Sequence, residues 1–191
     1  MDKFLPETTF AILAGGKSSR FGSNKVFYDL NGKPMLSYIV DLARQLCSEV
    51  LIIGDYNYKI SDPVIKCVKD EFKEIGPIGG IFTALNNSSN PNVIISPVDM
   101  PFLTKDIFIT LHEKLNSFNG SVISLNNKLE PLLSIWKKNQ SEYIKNNIQN
   151  EKYAIRKLID ELHFTKVNIN TESDNLTSDH FKNVNYKSDL E

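Results

Sequence analysis

Phe10-Ala11-Ile12-Leu13-Ala14-Gly15-Gly16-Lys17-Ser18-Ser19-Arg20-Phe21-Gly22-Ser23-Asn24-Lys25 begins as an apolar run and breaks at paired glycines. It continues as a polar loop carrying Lys17, Arg20 and Lys25. Paired glycines after a strand let backbone N–H groups approach an anion with no Cβ in the way. The bare chemical reading is a phosphate cradle; the plain alternative is a glycine turn with solvated charges. G-x-x-x-x-G-K-[ST] is absent, because the Gly-Lys-Ser lacks the first glycine at the required spacing, and G-x-G-x-x-G does not occur.

Outward from this stretch, strands and helices alternate. Thr9 to Leu13, Val50 to Ile53, Val64 to Val68 and Val93 to Ile95 read as strands, the second and fourth of them buried. Asn31-Gly32 signals a turn, and Pro34 suits the first turn of a helix carrying Leu36, Ile39, Val40, Ala43 and Leu46. Glu71 to Gly80 reads as a loop, with a helix opening at Ile81. A helix from Thr104 or Lys105 follows, then strands Ser121 to Leu125 and Leu132 to Trp136. Helices Ser141 to Ile148 and Tyr153 to Leu162 come next, then a strand from Phe164 to Ile169. This alternation predicts an α/β fold, a Rossmann-like three-layer sandwich with a mostly parallel central sheet and helices on both faces. Its 191 residues suit one domain, with a nucleotide-binding part at about 8–105 and an acceptor-binding part at about 106–191.

In such sheets ligands bind beyond the carboxyl ends of the strands. The Gly15 loop, Asp70 and Asp99 each follow an apolar strand, so the topology predicts that they converge. Asp99, between Pro97 and Pro101, suits Mg²⁺, which takes oxygen ligands and shares them with substrate phosphates; otherwise it caps the helix at Thr104 or makes a turn. Asp70 either hydrogen-bonds a ribose or base or starts a turn. Arg20 offers a planar fork to phosphate oxygens and Lys25 a point charge, whereas Lys17 and Lys33 read as solvated. His112 and His163 have no partner pattern and read as structural or exposed. H-E-x-x-H, G-x-S-x-G and C-x-x-C do not occur. Trp136 reads as core.

With a formal net charge of −1 there is no global basic field to recruit nucleic acid or a membrane surface. No apolar run approaches the ~18 residues of a membrane span, and the first residues lack a signal-peptide core. Cys47 and Cys67 have no metal spacing and read as two buried thiols in a reducing cytoplasm.

Leu13-Ala14-Gly15-Gly16-Lys17-Ser18-Ser19-Arg20-Phe21-Gly22 with Lys25 resembles the L-A-G-G-x-S-x-R-M-G-x-x-K signature of the molybdenum cofactor guanylyltransferase (MobA) family. Further blocks follow in order. Leu30-Asn31-Gly32-Lys33-Pro34-Met35-Leu36 resembles L-x-G-K-P-L, and Gly76-Pro77-Ile78-Gly79-Gly80-Ile81 resembles G-P-L-A-G-I. Val98-Asp99-Met100-Pro101-Phe102-Leu103 resembles C-D-T-P-F-L, Glu130-Pro131-Leu132 an E-P-L, and Phe181-Lys182-Asn183-Val184-Asn185 an F-x-N-x-N. Departures are Phe21 for Met, Asn24 for Asp, Val98 and Met100 around Asp99, and Tyr186-Lys187-Ser188-Asp189 after the last block.

The resemblance implies a cytoplasmic enzyme that joins GMP from GTP to the phosphate of molybdopterin (or Mo-molybdopterin) with Mg²⁺, releasing pyrophosphate. It implies catalytic roles for Arg20, Lys25 and Asp99, with Asp99 on the metal. Nucleotide contacts would come from Leu13, Ala14, Gly15, Gly16, Lys25, Asp70 and Asp99, and acceptor contacts from Asn183 and Asn185. Transient docking on molybdoenzymes or cofactor-biosynthesis proteins also follows from it. A cytidylyltransferase of the same superfamily and a non-catalytic molybdopterin carrier remain the alternatives. The Gly76 block favours GTP, and the retention of Arg20, Lys25 and Asp99 together favours catalysis.

Overall fold

The computed structural model describes residues 5–15, 25–54, 62–115, 119–171 and 176–184, and of Lys25 the backbone alone. Among the described residues, seven strands form one sheet. They are β1 (Thr8–Leu13), β4 (Glu49–Ile53), β5 (Ile65–Val68), β6 (Asn92–Pro97), β7 (Ser121–Leu125), β8 (Lys128–Lys137) and β9 (Thr165–Ile169), in the order β5-β4-β1-β6-β8-β7-β9. A two-stranded ribbon, β2 (Asp29–Leu30) and β3 (Lys33–Pro34), stands apart. The helices are α1 (Met35–Leu46), α2 (Pro77–Asn87), α3 (Lys105–Glu113), α4 (Ser141–Gln149) and α5 (Ile155–Glu161).

Strands β5, β4, β1 and β6 are mutually parallel, and β7 pairs with β9 in parallel. β8 runs against both β6 and β7. The central strands carry continuous apolar runs because both faces are covered. Phe10, Ile12, Val50, Ile52 and Ile94 pack with α1 and α3, and Ala11, Leu13, Leu51, Ile53, Val93 and Ile95 pack with α2, α4 and α5. The expected three-layer α/β sandwich is therefore the observed one.

Several boundaries differ from the sequence reading. α2 begins at Pro77, not Ile81, so Gly79 and Gly80 lie in its first turn rather than in a loop. Gly76 caps it at φ 81°, a conformation natural to glycine, and Pro77 takes the first helical position, where its missing N–H costs nothing. Pro34 precedes α1 as its N-cap, within β3, instead of entering the helix. Asn31 and Gly32, at φ 56° and 82°, make the expected tight turn between β2 and β3.

β8 starts at Lys128, before the expected Leu132, and contains Pro131. Its pairing jumps from Val122↔Ser134 to Ile123↔Glu130, and this bulge accommodates a proline that regular pairing would exclude. Trp136 is fully buried, donating from Nε1 to Ser134 Oγ at 2.9 Å. Cys47 is buried as expected. Cys67 is exposed rather than buried, two residues beyond the buried Ile65 on the edge strand β5.

Candidate nucleotide site

From β1 the chain passes to β4 and β5 on one side and then returns to place β6 on the other. The order reverses between β1 and β6, and a crevice opens at the carboxyl end of such a pair. Gly15 leaves β1 there and Asp99 leaves β6. The two ends are tied directly, since the Val98 N–H donates to Leu13 O at 3.2 Å.

Asp70 follows β5, with β4 lying between it and β1. It nevertheless reaches the crevice: a Cβ built on Gly15 would sit 3.8 Å from Asp70 Oδ2. Gly54 makes this possible. It ends β4, and a Cβ there would meet Ala14 C and Gly15 N, each at 3.3 Å. The missing side chain lets the backbone of Ala14 and Gly15 pass close against the end of β4, within reach of Asp70. Gly54 is the site residue that sequence reasoning missed, although its signal, a glycine closing an apolar run, is plain.

The Asp70 carboxylate has local donors. Thr83 Oγ1 lies 3.2 Å from Oδ1, and the Phe72 N–H donates to the same oxygen at 3.3 Å. α2 comes close enough because of its glycines. A Cβ on Gly79 would stand 2.5 Å from Phe72 O, and one on Gly80 would stand 3.1 Å from Leu13 Cδ2. Leu13 and Ala14 are both buried.

Asp99 is half-buried and does not cap α3, whose N-cap is Thr104. Instead the segment 181–184 grips it. The Val184 N–H donates to Asp99 O at 2.8 Å. Oriented as the hydrogen-bonding network requires, the Asn183 amide donates from Nδ2 to Asp99 Oδ1 at 2.9 Å and to Oδ2 at 3.3 Å. Phe181 and Val184 are buried and anchor the segment. The structure thus brings together Gly15 with Asp70, and Asp99 with Asn183. Gly16, Lys17, Arg20 and Asn185 lie outside the described residues, as does the Lys25 side chain, whose backbone opens a 3-10 turn over Lys25–Phe27.

His112 lies far along α3, near Lys137 at the opposite edge, where β8 ends beside the start of β6. Burial, reinforced by the Lys137 charge and opposed by Glu113, lowers its pKa. Among the described residues no three His, Cys, Asp or Glu side chains cluster as a metal-ligand set. A lone carboxylate still fits Mg²⁺, which keeps several waters and takes one or two carboxylates plus substrate phosphates. No described helix is long and apolar enough to cross a membrane.

A reversal of strand order with Gly15 leaving β1, and Asp70 and Asp99 at the neighbouring strand ends, is the arrangement of a nucleotide-binding α/β domain. The model of the MobA-like NTP transferase domain matches residues 10–167. A Carboxydothermus hydrogenoformans protein named "Probable molybdenum cofactor guanylyltransferase" is 32% identical over 187 residues, covering 96% of this chain and 93% of its own. An Aquifex aeolicus protein of the same name is 31% identical over 178 residues, covering 87% of each chain. A crystal structure from Aquifex aeolicus superposes with a TM-score of 0.76 at 30% identity, covering 94% of both chains. The chain belongs to the MobA-like NTP transferase family and is a nucleotidyltransferase.

Proposed function

We propose that the protein transfers GMP from GTP to the phosphate of molybdopterin, forming the guanine dinucleotide and releasing pyrophosphate. The observation that carries this reading is Asp99, held by Asn183 at the β1/β6 strand ends, where Gly15 also leaves the sheet. The names borne by the relatives support the choice of nucleotide and acceptor.

An oxygen of the acceptor's terminal phosphate attacks the α-phosphorus of GTP. The bond from that phosphorus to the bridging oxygen breaks, and pyrophosphate leaves with the electron pair. The attacking group is already an anion, so no general base is required, in keeping with a His112 remote from the crevice. The demands are in-line positioning and neutralisation of charge. Asp99 would hold Mg²⁺, which when bound supplies charge stabilisation to the triphosphate oxygens. Gly15 and Gly16 offer backbone N–H groups, Arg20 and Lys25 balance charge on the departing pyrophosphate, and Leu13 and Ala14 lie along the base. Asp70 accepts from the nucleoside. Asn183 and Asn185 border the acceptor, whose part of the chain is about 106–191.

A pyrophosphate-release assay with molybdopterin, Mg²⁺ and each nucleoside triphosphate tests the reading. Release with GTP is expected. Faster release with CTP overturns the guanylyl assignment in favour of a cytidylyltransferase, and no release with any nucleotide overturns transfer in favour of a carrier. Asp99→Ala, with its fold verified by circular dichroism, is expected to lose roughly a thousandfold in rate. Near-normal transfer by that variant removes Asp99 from the mechanism.

A further inference from the structure

Thr83 is fully buried on α2, one turn after Gly79, in a stretch that otherwise reads as plain core. Its hydroxyl meets three polar groups. It accepts from the Glu71 N–H at 3.0 Å, and it lies 2.9 Å from Gly79 O and 3.2 Å from Asp70 Oδ1. A hydroxyl has one proton to give, so it donates to the helix carbonyl or to the carboxylate. The Gly79 carbonyl is the nearer acceptor, at 2.9 Å against 3.2 Å, and an ionised carboxylate the stronger one, so the two share the proton. Thr83 therefore secures both the Asp70–Glu71 backbone and one oxygen of the Asp70 side chain. The Phe72 N–H engages the same oxygen at 3.3 Å. The other oxygen, Oδ2, lies toward Gly15, 3.8 Å from where a Cβ on that residue would stand.

We infer that Thr83 is a positioning residue for nucleotide binding, acting through Asp70. By occupying Oδ1 from beneath, it aims Oδ2 at a hydroxyl or N–H donor of a nucleoside seated over Gly15. The glycine at position 79 belongs to the same device. With a Cβ only 2.5 Å from Phe72 O, any larger residue would push α2 away and carry the hydroxyl out of reach. The inference rests on the nucleotidyl-transfer reading above and adds to it a residue that touches no substrate.

The test measures the GTP dissociation constant by calorimetry without acceptor, together with kcat and KM for transfer. Thr83→Val keeps the shape and removes the hydroxyl. Its GTP affinity and KM are expected to weaken about tenfold, the size of a lost charge-assisted hydrogen bond, with kcat at saturating GTP held within about twofold. Thr83→Ser keeps the hydroxyl and is expected to restore wild-type affinity. A double-mutant cycle separates positioning from general destabilisation. In an Asp70→Asn background, Thr83→Val should weaken binding by less than about twofold further.

Equal loss in both backgrounds, or unchanged affinity in Thr83→Val, overturns the inference. Should the valine variant not fold, Thr83→Ala takes its place in the same cycle. Wild-type protein that neither binds GTP nor transfers GMP refutes the underlying function instead, so the two failures are distinct.

Discussion

Asn183 decides where the Asp99 carboxylate points. An amide N–H donating to an ionised carboxylate contributes about 1.5–3 kcal/mol, roughly ten- to a hundredfold in a rate that depends on it. Asn183→Ala is expected to lower GMP transfer at saturating GTP by at least about tenfold, with a melting temperature lower by only a few degrees, because residue 183 is exposed and water replaces part of the lost bond. Asn183→Asp is expected to lower it further, since a second carboxylate repels the first. Steady-state kinetics beside thermal melts check both. Asp70 and Asp99 were legible in the sequence because each ends an apolar strand in a topology that gathers strand ends. Their partners were not. Thr83 sits in an apolar helix, and nothing local tells a bonding hydroxyl from a tolerated one. Asn183 was legible as part of a motif, but its contact with Asp99 exists only after the chain has folded back.

Among the elements, β4 matters for what its last residue lacks. Gly54→Ala would place a methyl 3.3 Å from Ala14 C and Gly15 N, backbone atoms that must move by a few tenths of an ångström to admit it. Its GTP KM is expected to rise several-fold, with a stability loss of about 1–3 kcal/mol, measured by transfer kinetics and urea unfolding. The parallel strands were readable because burial on both faces writes them as continuous apolar runs. α2 was misjudged by a turn because Gly79 and Gly80 suggest a loop. They are instead the flat side of a helix pressed on the turn after β5 and on Leu13. β8 runs four residues further back than the expected Leu132, through a Pro131 that a strand admits only where a bulge receives it.

Across the whole molecule the two edges of the sheet do different work. At the edge away from the crevice, Glu49 joins β4 to β1, β5 and the loop before β6. Thr9 Oγ1 donates to it at 2.6 Å, Lys66 Nζ at 2.7 Å, and Ser89 through N and Oγ, both at 2.8 Å. Burial pushes its pKa up, but the hydrogen bonds from Lys66, Thr9 and Ser89 prevail and hold it at about 2, against an ordinary 4.5. A lowered carboxyl pKa stabilises the fold above the unfolded value and stops doing so as pH falls through the folded one. The contribution, about 3 kcal/mol, is full near neutrality and fades between pH 4.5 and about 2. Glu49→Gln is expected to lose most of it at pH 7 and to flatten the stability profile across that interval, as urea titrations at stepped pH would record. The crevice at the other edge is finished differently. β9 completes the sheet at Ile169, whereas the grip on Asp99 waits for Asn183 and Val184. Deleting residues 176–184 is therefore expected to leave the strand pairing in place while Asp99 loses its clasp, which circular dichroism beside a GMP-transfer assay would separate.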